Sequence, residues 1–514
     1  MGIWMALLYM LLCGVVLTIA YVLYMTRKYG VFKELGVKGP KPAPVLGHFH
    51  ILTSEGAVVA EKKWYQEYKK DKAFGIFEGG YPMMFITDIN IMKEVLIKKF
   101  HCFVNRRAFE GVNDYPLNYA MTTIQDDHWK HVRSLLSPTF SSGKLKKMVR
   151  LVNKTSDNLV QNFRVKAESG EEFEVKELTG AYTMDTICST AFGIEIDSKN
   201  DPNNPFVTGA QAFFKPKVWL IILIFFFPFL APLLKMLNIS LWPKNLTHFF
   251  VKVTDDAIKQ RRSSTQKSND FLQMMIDAEV GSEEVDKEID HRDSLVTSQT
   301  WNSKGLTTDD IHGQALTFLV AGYDTTATTM AFLIYELALN PDICDRAIQE
   351  VDRVLGDNHD VSYEQCAELH YLDMCVSESL RLFPPATRFD RHCTQDVEVC
   401  GIKIPSGMDI AIPVIAIHYD EEYWPEPERF DPERFTPEAK GKRNPLAYVP
   451  FGAGPRNCIG MRLSLMETKI GIARLLQNFK PIRSEKTQVP MTFKKIGILE
   501  AENGIWVKML QRHK

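Results

Sequence analysis

One cysteine of the chain, Cys458, lies in a glycine-rich stretch whose residue types could carry metal chemistry. The stretch spans residues 451–460, and the apolar run after it favours a helix. A thiolate is a ligand for soft metals, and it needs close backbone approach and donors that hold its negative charge. Gly454 and Gly460 allow that approach, and N–H groups of the turn and of the helix start can donate to the sulfur. The alternative is a buried structural cysteine, which behaves as a small apolar side chain.

The order Phe-x-x-Gly-x-Arg-x-Cys-x-Gly within this stretch resembles the haem-binding loop of the cytochrome P450 family. The resemblance implies that Cys458 is the axial thiolate ligand of haem b (heme b). It also implies that Phe451 packs against the cofactor and that Arg456 neutralises a haem propionate. A thiolate below a haem pushes electron density onto the iron and favours cleavage of the O–O bond.

A second stretch, residues 321–326, interrupts a helical pattern that begins at Thr307 or Thr308. Threonine hydroxyls in mid-helix can bond carbonyl oxygens one turn earlier and loosen the helix. The stretch resembles the oxygen-binding groove of the same family. By that resemblance Thr325 hydrogen-bonds the bound oxygen and Asp324 relays protons. A slightly kinked core helix is the alternative.

Three further residues resemble cofactor-binding positions of the family. Trp129 and Arg133 are four residues apart, so on a helix they share one face, where an indole N–H and a guanidinium suit a carboxylate. They match the family's Trp-x-x-x-Arg, which holds a haem propionate. Arg391, in a strand predicted at 386–392, aligns with another propionate ligand. A plain strand with an exposed arginine is the alternative.

Glu378 and Arg381 are three residues apart and share one helical face. Most such pairs are surface salt bridges of little energy, but the apolar neighbours of this one predict burial. The pair matches the Glu-x-x-Arg of the family. The expected third member is Arg434 rather than Arg429, because Arg434 lies nearer to the cysteine loop in the chain. The implied role is to hold the haem-side core together.

Ten residues are candidates for the wall of a substrate cavity. They are largely apolar, which predicts a lipophilic substrate such as a steroid, a fatty acid or a xenobiotic. The candidates are Phe109, Tyr119, Phe213, Phe214, Phe318, Ala321, Ala386, Thr387, Ile498 and Leu499.

The composition excludes several classes of protein. The chain has 514 residues, 45% of them hydrophobic, and a formal net charge of −2. This balance does not indicate a disordered, fibrous or nucleic-acid-binding protein. Nine scattered cysteines without Cys-x-x-Cys spacing favour reduced thiols over a disulfide framework.

The N-terminal segment predicts a membrane anchor. Residues 3–25 are apolar and uncharged, and Arg27 and Lys28 follow. At about 1.5 Å per residue, this segment can cross a hydrocarbon core of roughly 30 Å, with its basic side in the cytosol. A cleaved signal peptide is the alternative, but no basic residue precedes the segment. We predict an anchor at 1–26, a basic and proline-rich linker at 27–47 and a haem-binding catalytic domain at 48–514.

A second apolar segment, residues 218–234, is short for a transmembrane span and carries late prolines. We predict a hydrophobic lid on the membrane surface, which the family resemblance supports; a second span is the alternative. Residues 262–304 are polar and charged, which predicts an exposed loop.

From residue 38 onward, the chain resembles the animal microsomal cytochromes P450 of the drug- and steroid-oxidising, thromboxane-synthase-like group. The resemblance implies a mainly α-helical fold with small β-sheets (α+β), behind one transmembrane helix in the endoplasmic reticulum. It implies a monooxygenase that inserts one atom of dioxygen into its substrate with electrons from NADPH.

The electron donor is expected to be a separate protein. No Gly-x-Gly-x-x-Gly fingerprint occurs in the chain, so NADPH must bind elsewhere. The resemblance implies NADPH–cytochrome P450 reductase, with cytochrome b5 as a second candidate. Candidates for a basic docking surface near the cysteine loop are Lys130, Lys440, Lys442 and Arg443.

Three other functions fit parts of the pattern. An isomerase or dehydratase of the same fold acts on a peroxide and commonly lacks the groove threonine, so Thr325 and Asp324 count against it. The same pair counts against a thiolate-haem sensor or ligand carrier, and the cysteine loop counts against an inert membrane scaffold. Reductase-dependent NADPH consumption with product formation separates the monooxygenase from all three.

Overall fold

The fold is mainly helical with three small β-sheets, which confirms the predicted fold class. The computed structural model describes residues 2–108, 115–201, 203–213, 217–237, 239–264, 268, 270–279 and 305–512. Within these residues the α-helices are, in chain order, α1 Gly2–Thr26, α2 Val31–Glu34, α3 Phe49–Ser54, α4 Ala57–Tyr68, α5 Ile89–Lys93, α6 Asp126–Leu136, α7 Ser142–Ser169, α8 Val175–Ile187, α9 Pro205–Phe213, α10 Val218–Phe226, α11 Ala231–Met236, α12 Lys244–Ser263, α13 Phe271–Asp277, α14 Thr308–Leu339, α15 Pro341–Leu355, α16 Tyr363–Glu368, α17 His370–Leu382, α18 Val414–His418, α19 Pro437–Lys442 and α20 Met461–Asn478.

The strands form one four-stranded sheet, one three-stranded sheet and one hairpin. The strands are β1 Ala73–Glu78, β2 Tyr81–Ile86, β3 Phe173–Glu174, β4 Phe389–His392, β5 Val397–Val399, β6 Ile402–Ile404, β7 Asp409–Ile412, β8 Phe479–Arg483 and β9 Trp506–Gln511. The first sheet has the order β1-β2-β7-β4, the second β3-β9-β8, and β5 pairs with β6. Residues 73–87 alternate apolar and small residues, which predicts two short strands. These strands are β1 and β2, an antiparallel pair.

Helix α14 runs through the largest hydrophobic core. It begins as predicted, because Thr307 caps it and forms a reciprocal capping box with Asp310. Gly322 allows close packing on α8, since a Cβ added there would lie 2.8 Å from Ile187. Thr326 is 3.1 Å from Ser464 through their hydroxyls, which fixes α14 against α20.

Two expectations about secondary structure were wrong. The strand predicted at 386–392 begins only at Phe389, where pairing with β7 starts. The loop predicted at 262–304 includes helix α13, whose Phe271 is buried and stacks on Phe140 at 4.5 Å between ring centroids. The burial of a few apolar residues against a distant part of the chain stabilises this helix, although the polar residues around it favour a loop. Residues 280–304 lie outside the described part of the chain.

The N-terminal helix leads into a segment that packs on the first sheet. Among the described residues, one helical stretch, Ile3–Glu34, is long and apolar enough to cross a membrane. Beyond α1, Phe32 is buried against Phe77. Gly39 approaches β1 so closely that a Cβ would lie 2.1 Å from the Gly75 carbonyl oxygen. The proline-rich segment is therefore fixed to the sheet.

The second apolar segment is bent. Trp219–Phe226 and Pro228–Met236 meet at an angle of 107°. The Tyr21 ring of α1 stacks on Phe227 at 5.3 Å, and its hydroxyl donates to the Phe226 carbonyl at 2.9 Å. The segment therefore lies beside the anchor helix and keeps several large apolar side chains exposed. Its role as a lid stays a prediction.

A fully buried ion pair connects α17 to the chain before the cysteine loop. Arg381 donates to both carboxylate oxygens of Glu378, at 2.7 and 2.8 Å, and neither side chain is exposed. Arg434 approaches Glu378 to 3.3 Å, whereas Arg429 offers Arg381 only its carbonyl oxygen. Burial raises the pKa of Glu378, and Arg381 acts against that shift. The Glu378–Arg381 pair thus joins α17 to residues 429–434 through contacts that are shielded from solvent.

We expect Arg381→Met to lower the free energy of unfolding by about 3–5 kcal/mol, because it leaves the Glu378 carboxylate buried without its main partner. Denaturant unfolding of the full chain, followed by circular dichroism, measures the change. Arg429→Met is the matched control, since Arg429 pairs with Glu426 at the same spacing but both are exposed; it should cost under about 1 kcal/mol. Equal losses in the two variants would contradict the assigned role of the buried pair.

Candidate functional site

The cysteine loop is a tight turn between the first sheet and α20. Gly452 and Gly454 have backbone φ angles of 72° and 74°, values that residues with a side chain rarely adopt. A Cβ on Gly454 would lie 2.0 Å from the Leu96 carbonyl oxygen, so only glycine fits there. The Cys458 N–H donates to the Phe451 carbonyl at 2.8 Å and closes the turn. These contacts place the cysteine directly before the first turn of α20.

The Cys458 thiol is solvent-accessible, yet it lies deep enough for desolvation to matter. Burial raises its pKa above the ordinary value. Four groups act in the opposite direction, namely the backbone N–H groups of Gly460 and Met461 and the guanidinium groups of Arg133 and Arg106. The sulfur therefore has the donors that a bound thiolate requires.

Arginines from four chain segments converge beside this thiol. Arg106 follows the short helix Phe100–Cys102, Arg133 lies on α6, Arg391 on β4 and Arg456 in the cysteine loop. Burial and the charge of Arg106 lower the pKa of Arg391 to about 9. Burial, then Arg106 and Arg391, lower the pKa of Arg456 to about 9, and Asp390 offsets only part of this shift. The cluster thus holds more positive charge than its own carboxylates balance.

Several nitrogens of this cluster lack hydrogen-bond partners within the described residues. They are Arg106 Nε, Arg391 Nε, Arg456 Nε and Arg456 Nη1. Buried guanidinium groups without partners are costly and select an anionic partner with carboxylate or phosphate geometry. The two propionates of haem b carry such carboxylates, and Cys458 offers a thiolate. The residues present therefore fit the cofactor that the sequence predicted.

The remaining predicted cofactor contacts surround this cluster. Trp129 is buried, and the Arg456 guanidinium lies 4.6 Å above its ring. Arg133 donates to Asn457 Oδ1 at 2.9 Å, next to Cys458. Phe451 packs on the main core. The sequence did not single out Arg106. Residues 103–121 are rich in Asn, Gly, Pro and aromatic residues, which predicts a long loop of the kind that is often functional, but nothing local distinguishes Arg106 from Arg107.

Two residues of α14, Ala321 and Thr325, are accessible although most of the helix is buried. We call these two residues the accessible strip of α14. Ala321 is exposed and Thr325 is half-buried, whereas the residues of α14 from 326 to 338 are buried. Thr325 donates to the Ala321 carbonyl at 2.6 Å, the back-bonding predicted for a mid-helix threonine. The next residue, Thr326, contacts α20, so this strip lies on the part of α14 that packs near the cysteine loop.

Asp324 has a partner that the sequence did not indicate. Its Oδ1 lies 2.8 Å from the Nζ of Lys176 on α8. Lys176 also lies 3.5 Å from Glu500, which in turn lies 2.9 Å from Lys494. The exposed fraction of these side chains falls from 52% at Lys494 through 36% and 20% to 12% at Asp324. Ion pairs therefore connect Asp324 to the surface.

The candidate substrate-wall residues fall into distinct positions. Ala386 is exposed and Thr387 is nearly buried, and the Leu499 N–H donates to the Pro385 carbonyl at 3.0 Å, which brings segments 385–387 and 498–499 together. By contrast, Phe318 packs on Phe140 and Phe271 as a core residue.

Two further candidates for the substrate wall also make core contacts, and two others lie outside the described residues. Phe213 packs on Trp242 and Phe250, and Tyr119 lies against Gly313 of α14. Phe109 and Phe214 lie outside the described residues.

Known proteins are similar in sequence to nearly the whole chain. Residues 37–509 match the family described as "Cytochrome P450". The chain is 40% identical to human Cytochrome P450 3A5 over 506 residues, covering 98% of this chain and 96% of that protein. It is 39% identical to mouse Cytochrome P450 3A41 over 508 residues, covering 98% and 96%, and 38% identical to pig Cytochrome P450 3A29 over 497 residues, covering 95% and 94%. With the thiol and its cation cluster in place, these similarities show that the chain belongs to the cytochrome P450 family.

Proposed function

We propose that this chain is a haem-thiolate monooxygenase of the endoplasmic reticulum in which Cys458 holds haem b. It inserts one atom of dioxygen into a lipophilic substrate and reduces the other to water, with two electrons from NADPH and two protons. The observation that carries the proposal is the Cys458 thiol just before α20, beside a cation cluster whose charge Asp390 only partly offsets and several of whose buried nitrogens lack hydrogen-bond partners among the described residues. Helix α1 anchors the chain, with the catalytic domain on the cytosolic side.

Each side of the site has its own task. When bound, haem b supplies the binding and activation of dioxygen. Cys458 would hold it through its thiolate, and Arg106, Arg133, Arg391 and Arg456 would bind its carboxylates. The N–H groups of Gly460 and Met461 act against the burial that raises the pKa of the sulfur, and they would donate to it as a bound thiolate.

On the α14 side, Thr325 and Asp324 handle protons. Thr325 Oγ1 donates back to its own helix at 2.6 Å and is free to turn toward the site, because this bond is local. Asp324 accepts a proton from solvent and passes it to the region of Thr325, while the ion pairs that reach the surface hold its carboxylate in place. Lys176 keeps its charge, since Asp324 and Glu500 together raise its pKa in spite of burial. We assign Lys176 as a positioning residue for the Asp324 carboxylate.

The substrate side is built from small and apolar groups. Ala321, Ala386 and Thr387 leave space, and Leu499 closes one wall through its backbone bond to Pro385. Such a lining favours steroids, xenobiotics or fatty acids and has few polar groups to fix one orientation. The bent apolar segment beside α1 suits entry of these molecules from the membrane.

The reductase docks on the exposed basic residues near the cysteine loop. Lys440 and Lys442 are exposed on α19, which precedes that loop in the chain, and Lys130 is exposed on α6. Arg443 has a structural contact instead, because its guanidinium lies 3.9 Å above the Trp424 ring. We therefore assign docking to the three lysines rather than to Arg443.

Cys458→Ala should abolish the carbon-monoxide difference spectrum typical of thiolate-ligated haem, because no other residue of the loop can supply a thiolate. The reduced, carbon-monoxide-treated protein in membranes provides the measurement. Cys400→Ala, which removes an exposed cysteine of the β5–β6 turn, is the control and should leave the spectrum unchanged. A thiolate-type spectrum that survives Cys458→Ala would refute the proposed ligand.

Lys176→Met should lower product formed per NADPH by about tenfold or more and raise peroxide release, because a misplaced Asp324 cannot deliver protons on time. Parallel assays of NADPH, product and hydrogen peroxide with reductase measure this. Lys176→Arg keeps the charge and should restore most of the coupling. Lys154→Met, which removes an exposed pair with Glu195, is the control. Unchanged coupling in Lys176→Met would exclude the positioning role.

The double variant Lys440→Gln/Lys442→Gln should raise the reductase concentration needed for half-maximal turnover about threefold to tenfold at low salt, and the difference should shrink at high salt. Titration of reductase at two ionic strengths tests this. Lys403→Gln/Lys495→Gln removes two exposed lysines elsewhere and serves as the control. The docking assignment fails if both double variants respond alike.

A further inference from the structure

A short segment next to the site is fastened to α14 by three consecutive residues. His312, Gly313 and Gln314 all contact residues of the segment 115–121. Gln314 Nε2 donates to the Tyr119 carbonyl at 2.5 Å, and its Oε1 accepts from the Met121 N–H at 3.0 Å. At Gly313 a Cβ would lie 2.6 Å from the Tyr119 backbone, so glycine is required for this approach.

His312 extends this attachment to a third element. Its Nδ1 is hydrogen-bonded to the Tyr115 hydroxyl, and its Nε2 lies 2.8 Å from Asp255 Oδ1 on α12. The His312 ring is buried, whereas Tyr115 and Asp255 are each about two-fifths exposed, at 39% and 41%. We call Tyr115, His312 and Asp255 the latch. It connects segment 115–121, α14 and α12 through one imidazole.

The hydrogen-bond directions are consistent with a persistent latch. Burial, the charge of Asp309 and a hydrogen bond with Asp309 raise the pKa of Tyr115, so its hydroxyl keeps its proton and can donate to Nδ1 or to Asp309. With Nδ1 accepting, Nε2–H of the ring donates to Asp255.

The fastened segment leads directly to the thiolate site. Met121 Sδ lies 3.8 Å from Arg133 Nη1, and Arg133 donates to Asn457 beside Cys458. On the other side, α12 follows the apolar segments α9–α11, and Trp242 just before it donates to the Phe213 carbonyl at 3.0 Å. The latch thus joins the segment next to the cation cluster to the helix behind the apolar segments.

We propose that the latch gates the access of bulky lipophilic ligands between segment 115–121 and α12, with His312 as the positioning residue. This rests on the proposed function in taking the space between α14 and Cys458 as the ligand site. Tyr115 and Asp255 are the ends that can separate, because both are partly exposed. The Gln314 side chain is buried, and its two hydrogen bonds keep Tyr119 and Met121 in place. Opening therefore moves the segment near Tyr115 without releasing the whole loop.

Hydrogen exchange of the haem-loaded, full-length protein tests the latch. In Tyr115→Phe and in Asp255→Ala, amides of residues 115–121 should exchange about fivefold to tenfold faster, as expected for the loss of one hydrogen bond. Amides of 326–339 in α14 should not change. Asp256→Ala, which truncates an exposed neighbour on the same helix, is the matched control. Equal exchange in Tyr115→Phe, Asp255→Ala and Asp256→Ala overturns the latch.

Ligand kinetics test the gate. Association and dissociation of clotrimazole, followed by the haem absorption change, should accelerate about threefold to tenfold in Tyr115→Phe, whereas those of imidazole should not. Gly313→Ala, which pushes on Tyr119 without touching the latch, provides a second disruption and should act in the same direction. Faster exchange with unchanged clotrimazole rates overturns the gate. Absence of any azole response in the unmodified protein would instead count against the proposed haem site.

Discussion

The structure depends on positive charge held out of water beside a thiol. Guanidinium groups lose hydration on burial, and the charge of Arg106 further lowers the pKa values of Arg133, Arg391 and Arg456. Such a cluster is stable only with anions close by. A thiolate supplies one, and a cofactor with two carboxylates supplies the rest. Because the arginines come from four chain segments, the same charge balance that binds the cofactor also draws the sheet, α6 and the cysteine loop together.

The two sides of the site differ in how firmly they are built. On the side of Cys458, the Glu378–Arg381 ion pair is fully buried. Gly454 allows the cysteine loop to pack directly on the backbone at Leu96. On the α14 side, Asp324 is held by ion pairs that become steadily more exposed toward Lys494, and the latch ends in half-exposed partners. A rigid Cys458 side keeps the metal in a fixed position. A less tightly packed α14 side allows protons and substrates to move.

Much of this could be predicted from the sequence, because the informative patterns are local. The spacing around Cys458, the cap at Thr307 and the paired strands at 73–87 each depend on neighbours within a few residues. The errors came from distant contacts. Helix α13, inside the predicted loop, forms because Phe271 packs on Phe140 and Phe318. Nothing in the polar sequence around Phe271 indicates those partners.

The sequence by itself determined the family, the thiol ligand, the anchor helix and the chemistry of the cofactor, since these follow from residue types at fixed spacing. Only the tertiary structure decided which charges meet. It brought Arg106 beside Arg391 and Arg456, and Lys176 beside Asp324. The physical reason is that electrostatic and hydrogen-bond energies depend on distance in space over a few ångströms, and residues more than a hundred positions apart acquire such distances only through the packing of the whole fold.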